Sequence, residues 1–122
     1  MKTISNSATA EDHSAHSHPS TPFPELPARE VLDNAGDLLR ALAAPLRIAI
    51  VLQLRESMRC VHELVDALDV PQPLVSQHLR ILKSAGVVAG ERSGREVMYR
   101  LVDHHLAEIV IAAVTHASED DR

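Results

Sequence analysis

Cysteine and aromatic residues are scarce in this chain of 122 residues, which has one cysteine, one phenylalanine, one tyrosine and no tryptophan. Because Cys60 stands alone, no intrachain disulfide can form, and nothing in the composition indicates an oxidising compartment. No apolar run approaches the roughly 20 residues that span a bilayer, and the N-terminus has no apolar signal-peptide core. We therefore expect a cytoplasmic protein without a membrane partner. A thin aliphatic core in so short a chain also favours oligomerisation.

Positive charge is also in short supply, since the formal net charge is −5. The charge is unevenly distributed, however, with acidic clusters at Glu11-Asp12 and at residues 119–121. Residues 71–102 carry five basic side chains and only two acidic ones. Local charge decides whether a surface meets phosphate, so the overall balance does not exclude DNA as a partner.

The order of elements predicts a mainly α fold with a small β-hairpin. Residues 1–26 are rich in Ser, Thr, Pro and His and are predicted to form a disordered tail before a single domain over 27–119. Apolar periodicity predicts five helices, over about 27–43, 45–56, 60–68, 72–85 and 104–117. Two strands, at about 87–92 and 96–101, flank the turn signal Ser93-Gly94-Arg95. Short helices, a tight link and then a basic hairpin are typical of a winged helix-turn-helix.

The fourth helix and the hairpin are the candidate DNA-binding elements. Val75, Leu79 and Leu82 share one helix face and are predicted to point inward, which leaves a polar face outside. Gln and Arg can read base edges in the major groove, and the hairpin arginines could reach phosphates or the minor groove. A purely solvated helix face is the alternative, but a basic hairpin directly after the helix favours DNA. The candidate contacts are Pro73, Ser76, Gln77, Arg80, Lys83, Arg92 and Arg95.

Four metal-ligating side chains, Asp103, His105, His116 and Glu119, lie in or beside the last helix. His116 and Glu119 are i,i+3 and share a face, whereas Asp103 and His105 converge only if Asp103 caps the helix. The two pairs are about 16 Å apart at 1.5 Å rise per residue, and metal–ligand bonds are only about 2 Å long. One ion therefore cannot bind both pairs of one chain, but two antiparallel copies would bring them together. The spacing predicts a homodimer with two symmetric metal sites, against the alternative of a simple cap and a solvated helix end.

The donor set determines which metal is expected. Two imidazoles and two carboxylates fit Zn(II) best and Co(II) next, while Cu(I) is disfavoured because no thiolate is present. Ni(II) prefers more ligands, which His104 or the tail could supply.

A second candidate metal site involves Cys60 and Glu63, which are i,i+3 at the start of the third helix, where a thiol is a favourable ligand. Three tail histidines, His13, His16 and His18, could complete it. The alternative makes Cys60 a small buried residue and the histidines an ordinary polar tail. His62 and His78 are predicted to be packing or surface groups, although His78 could touch phosphate.

Several segments together resemble the ArsR/SmtB family of metal-sensing repressors. They are Leu42-Ala43-Ala44-Pro45-Leu46-Arg47-Ile48, Val75-Ser76-Gln77-His78-Leu79-Arg80-Ile81-Leu82-Lys83, Gly94-Arg95 and Asp103-His104-His105. The resemblance covers about residues 28–119. It implies a winged-helix homodimer, with the first and last helices at the interface, that leaves its operator when metal binds.

The resemblance also carries over individual residues. The positions that match the family's zinc ligands are Asp103, His105, His116 and Glu119, and the match implies a link from His116 to the backbone near Gly86. Some members also bind metal at the positions of Cys60 and Glu63, often with an N-terminal cysteine that this chain lacks.

Other functional classes remain as alternatives. A zinc enzyme would need an open coordination position, whereas four protein ligands close the sphere, so we expect no enzyme. A zinc-buffering protein would depend on the histidine-rich tail. A winged-helix regulator could also answer cobalt, nickel or no metal.

Overall fold

The structure, a computed structural model, describes residues 22–119. Most of the predicted tail, including His13, His16 and His18, lies outside this range. No helix of residues 22–119 is long and apolar enough to cross a membrane. The elements in chain order are α1 (Arg29–Leu42), α2 (Pro45–Glu56), α3 (Val61–Leu68), α4 (Gln72–Ser84), β1 (Val88–Ser93), β2 (Glu96–Leu101) and α5 (His104–Glu119).

The helix starts follow the backbone preferences of their first residues. Pro45 opens α2, where its missing amide costs no hydrogen bond, after Ala44 in an extended conformation. The predicted start of α1 at Pro27 was two residues too early, because Ala28 is extended (φ −61°, ψ 151°) and acts as the N-cap. Cys60 was likewise placed inside the third helix but is the extended N-cap of α3.

The core forms around α2, whose Ile50 and Val51 are completely buried. The inward face predicted for α4 is confirmed, since its three apolar residues are at most 2% exposed. Full burial of one such side chain contributes about 1.5–3 kcal/mol. The core side chains with no more than 2% exposure are Ile50, Val51, Leu64, Val75, Leu79, Leu82, Val87, Val88 and Val110.

Helices α1 and α5 each bury only part of their apolar surface. In α1 the buried side chains are Ala41 and Leu42, at its C-terminal end, whereas Val31, Leu32 and Leu39 are 45–54% exposed. In α5 the buried side chains lie in the first half, while Ile109 and Val114 are more than one third exposed. An uncovered apolar face on both helices is typical of a subunit interface.

The hairpin is closed by a two-residue turn. Ser93 pairs with Glu96, so Gly94 and Arg95 alone form the turn, and Ser93 is a strand residue instead of the predicted turn residue. Gly94 has φ of +65°, whereas Arg95 has no positive φ, which is the pattern of a type II′ turn.

A single backbone pairing anchors the hairpin to the segment between α2 and α3. The backbone of Arg59 pairs with that of Tyr99 through two N–H···O bonds of 3.1 and 2.8 Å. Tyr99 also pairs with Gly90 across the hairpin. The middle of β2 is therefore held from both sides.

Candidate functional site

The outward face of α4 is a polar surface next to the hairpin. Its predicted contacts Pro73, Gln77, Arg80 and Lys83 are exposed, and Ser76 is half-buried. Within residues 22–119, no salt bridge or hydrogen bond occupies the side chains of Arg80 and Lys83. Because the buried stripe of α4 fixes its rotation, these polar groups are held toward solvent.

The hairpin presents two further exposed arginines. Arg95 lies in the turn, and Arg92 lies in β1 opposite Val97, one residue pair away from the turn-closing pair. A third cation of the hairpin, Arg100, is already paired across the strands, since its Nε lies 3.2 Å from Oε2 of Glu91. Arg92 and Arg95 are therefore the hairpin charges available to a ligand within the described part of the chain.

A cleft of about 230 Å³ separates α4 from β2. Its lining residues are Ser76, Leu79, Arg80, Lys83 and Tyr99. Tyr99 was not among the predicted contacts, because a lone tyrosine in a strand pattern indicates only a packing residue. Cross-strand register would have been needed to place it against α4.

A hydrogen-bond relay connects α4 to the first two helices. Arg47, at the start of α2, donates from its Nη1 to Nδ1 of His78 at 3.0 Å and from its Nε to the carbonyl of Ala41 at 2.6 Å. Since arginine can only donate, Nδ1 of His78 accepts and the ring is neutral with its proton on Nε2. Burial and the nearby Arg47 charge lower the pKa of His78 below its ordinary value. The sequence alone gave no signal for this contact.

The first pair of predicted metal ligands is brought together by a helix cap. Asp103 immediately precedes α5, and its Oδ1 accepts a 2.9 Å hydrogen bond from the amide of His105. The Nδ1 atom of His105 lies 2.9 Å from the same oxygen. The hydrogen bond from the backbone amide of His105 lowers the pKa of Asp103 below its ordinary value, and the imidazoles of His105 and His104 make smaller contributions in the same direction. Asp103 therefore caps α5, which is the condition predicted from the sequence for Asp103 and His105 to come together.

The second pair lies at the other end of the same helix. His116 and Glu119 are exposed, and α5 runs unbroken from His104 to Glu119. His116 lies eleven positions after His105 in the helix, which corresponds to about 16 Å. Within residues 22–119 of one chain, no three His, Cys, Asp or Glu side chains come close enough to hold a metal ion. A site using both pairs would need a second subunit.

Cys60 and Glu63 form a capping box at the start of α3. Oε1 of Glu63 accepts from the Cys60 amide at 3.0 Å, while the Cys60 side chain accepts from the amide of Glu63. Cys60 is 5% exposed. The structure thus gives both residues a role in helix capping, and a metal role for them stays a prediction.

Residues 44–89 match the profile of a family described as "Bacterial regulatory protein, arsR family". The "HTH-type transcriptional repressor SmtB" of Mycobacterium tuberculosis H37Rv is 71% identical over 117 residues, which cover 91% of this chain and 87% of that protein. Among solved structures, the homodimeric winged helix-turn-helix DNA-binding domain of Mb0332 from Mycobacterium bovis has a TM-score of 0.67 and 27% identity, covering 75% of this chain and 84% of that one. The transcriptional repressor BigR from Xylella fastidiosa has a TM-score of 0.65 and 31% identity, covering 70% and 88%. The predicted winged helix-turn-helix fold is confirmed.

Proposed function

We propose, from the premise that this chain belongs to the ArsR/SmtB family of bacterial regulatory proteins, that it is a homodimeric repressor released from operator DNA by Zn(II). The chain is a DNA-binding transcriptional repressor, and the expectation that it is not an enzyme is confirmed by its relatives. The zinc response and the site between subunits are the proposed part.

The Asp103–His105 pair carries the proposal. One carboxylate oxygen and one imidazole nitrogen lie 2.9 Å apart on the exposed start of α5, where both can turn toward a common ion. The cap bond from the His105 amide holds the carboxylate in this position and favours its charged form. A preformed two-ligand half-site is a suitable starting point for a four-coordinate metal.

His116 and Glu119 of the partner subunit would complete each site. The resulting set has two imidazoles and two carboxylates, whose two negative charges balance a divalent cation. Bound Zn(II) would supply four bonds of about 2 Å that join the two α5 helices. Co(II) suits the same donors, and Ni(II) would recruit further ligands.

The uncovered apolar faces of α1 and α5 support a homodimer. Val31, Leu32 and Leu39 on α1 and Ile109 and Val114 on α5 are all at least 36% exposed in one protomer. Burial against a second copy would remove this surface from water, at about 25 cal/mol per Å² before association costs. In an antiparallel α5 pair, the start of one helix lies beside the end of the other.

Joining the two α5 helices through the metal would change the affinity for DNA by changing the distance between the two α4 helices of the dimer. A dimer reads half-sites about 34–36 Å apart, so a small rotation at the interface misaligns both reading helices. We further propose that the second ring nitrogen of His116 bonds the backbone of the turn around Gly86, where α4 ends. For this coupling, the metal must bind the DNA-free geometry of the dimer more favourably than the DNA-bound geometry by about 1–3 kcal/mol or more.

Fluorescence anisotropy with operator fragments tests this function, at fixed salt because phosphate contacts make affinity salt-dependent. Addition of Zn(II) should weaken binding by about tenfold or more. The variant His116→Gln should bind the operator in metal-free buffer as the wild type does but should lose the zinc response. His104→Gln, an exposed histidine of α5 outside the ligand set, is the matched control and should keep the response.

Three results would contradict the proposal. They are operator binding that ignores zinc, an unchanged zinc response in His116→Gln, and loss of metal-free DNA binding in that variant. A response to Co(II) or Ni(II) but not to Zn(II) would keep the regulator and replace the metal.

A further inference from the structure

The cleft between α4 and β2 has the chemistry of an anion site. Ser76, Arg80 and Lys83 follow one another at i, i+4 and i+7, so they form one stripe of α4 that faces the hairpin. Leu79 and Tyr99 supply the remaining lining. Two cations and two hydroxyls therefore surround a small apolar floor, and no carboxylate is among the residues that line this cleft in the described chain.

The polar groups of the cleft are available to a ligand. Arg80 and Lys83 have no salt-bridge partner among residues 22–119. The Tyr99 hydroxyl makes no hydrogen bond within the same range. It is not completely buried, because Nε of Arg59 is the one fully buried side-chain atom without a partner among these residues. A hydroxyl and two cations whose residues line one cleft, and which have no internal partners, can donate to one oxyanion.

The ring of Tyr99 is held firmly at this position. Its backbone pairs with Arg59 on one side and with Gly90 on the other. A Cβ placed on Gly90 would lie 3.2 Å from Cε1 of Tyr99, so the ring packs directly over the glycine. Because Tyr99 is fixed in this way, little side-chain entropy is lost when its hydroxyl binds a ligand.

The geometry of duplex DNA identifies the anion. A reading helix lies in the major groove, and a hairpin beside it reaches the adjacent minor groove. The ridge between those two grooves is a sugar-phosphate backbone. A cleft between α4 and the hairpin therefore faces that backbone when both elements are docked.

We propose that the cleft seats one phosphodiester group of the operator, bound by the Tyr99 hydroxyl together with Ser76, Arg80 and Lys83. This inference rests on the DNA-binding part of the proposed function and is independent of its metal response. Tyr99 thereby becomes a DNA contact that positions the helix and hairpin on the backbone without reading bases. The neutral hydroxyls fix the position of the phosphate, and the two cations supply the attraction.

The variant Tyr99→Phe removes only the hydroxyl and tests the proposal in the full-length protein. Operator affinity should fall by about tenfold, the loss of a hydrogen bond to a charged group. The slope of log affinity against log salt should stay unchanged in this variant, whereas Lys83→Gln should reduce it by about one. Ser57→Ala, which removes an exposed hydroxyl at the end of α2, outside α4 and the cleft, is the control and should bind as the wild type does.

Operators with single methylphosphonate linkages identify the phosphate. One linkage next to each half-site should weaken wild-type binding, and at that linkage Tyr99→Phe should cause no further loss. Operators with substituted bases should show the same fold-loss of affinity for Tyr99→Phe as the parent operator.

Three results would each overturn the proposal. They are an operator affinity of Tyr99→Phe equal to that of the wild type, a loss of affinity that varies with base sequence, and a lowered unfolding temperature of this variant. Tight wild-type binding without any zinc response would contradict the proposed metal function alone.

Discussion

The guanidinium of Arg47 lies 3.0 Å from Nδ1 of His78 and at the same time caps the carbonyl of Ala41 at 2.6 Å. Ala41 belongs to the last turn of α1, whose final carbonyls have no partner within the helix. One side chain at the start of α2 thus satisfies the end of α1 and contacts the middle of α4. The rotation of α4, the proposed DNA-reading helix, is thereby linked to α1, a helix of the proposed dimer interface.

The neutral state of His78 makes folding stability depend on pH. Because burial and Arg47 lower its pKa in the folded protein, the unfolded state binds more protons once the pH falls below the unfolded value of about 6.5. Stability should therefore be highest above that pH and decline as the pH falls toward the lower folded pKa. Urea unfolding of the wild type and of His78→Gln, from about pH 7.5 to about pH 5.5, measures the contribution of His78 to the pH dependence of the unfolding free energy.

The wild type should lose more unfolding free energy over that range than His78→Gln, which keeps an acceptor for Arg47 but cannot titrate. Other titrating groups contribute equally to both proteins and cancel in the difference. Identical losses in the two proteins would show that His78 carries no such penalty.

Replacing Arg47 with methionine keeps the apolar stem and removes both hydrogen bonds. Since the Ala41 carbonyl then loses its cap, we expect Arg47→Met to lower the free energy of unfolding by about 1–2 kcal/mol. Arg55→Met, which breaks only the exposed pair with Glu56, should cost less than about 0.5 kcal/mol. Equal effects of the two substitutions, measured by denaturant unfolding, would contradict a structural role for the Arg47 relay.

Gly90 is required by the side chains opposite it. An added Cβ would lie 2.8 Å from Cγ1 of Val97 and 3.2 Å from Cε1 of Tyr99, so both must shift. Gly90→Ala should destabilise the fold by about 1–2 kcal/mol and should weaken operator binding by displacing Tyr99. Gly36→Ala in α1 is the control, because the nearest atom to its Cβ is Nη2 of Arg40 at 3.8 Å, an ordinary contact, and alanine suits a helix. Full stability of Gly90→Ala in thermal unfolding would contradict the packing of Tyr99 over this glycine.

Substitutions in the capping box can distinguish a structural role of Cys60 and Glu63 from a role in metal binding. Glu63→Ala removes the acceptor of the Cys60 amide and should cost about 1 kcal/mol in metal-free unfolding. Cys60→Ser retains a capping acceptor and should fold with little loss. If the second site with His13, His16 and His18 exists, Cys60→Ser should lower the metal content from two ions per protomer to one. An unchanged content of two, measured by elemental analysis, would eliminate that site.

Local patterns predicted most of the fold. Helix α2 was placed with its observed bounds because Pro45 marks its start, and the inward stripe of α4 followed from the spacing of three apolar residues. The convergence of Asp103 with His105 followed from the geometry of an N-cap. Each of these signals spans only a few residues.

Contacts between residues far apart in the sequence could not be predicted from such local patterns. Arg47 and His78 are 31 residues apart, and no periodicity connects a helix start with the middle of another helix. The position of Tyr99 depends on strand register and on the Arg59 bridge, which arise only when the hairpin packs against the helices. The ends of two elements also shifted: Ala28 is extended and caps α1, and Ser93 belongs to β1 through its pairing with Glu96.

The two-residue turn of the hairpin limits how this repressor can change its DNA contacts during evolution. Arg95 is itself one of the two turn residues, and Gly94 beside it needs a positive φ. Inserting one residue into a strand would reverse the face on which every following side chain lies, including Tyr99. If Arg92 and Arg95 contact DNA as proposed, new operator preferences are therefore more accessible through substitutions at these two positions than through insertions in the strands. The hairpin should retain its length while its sequence diverges.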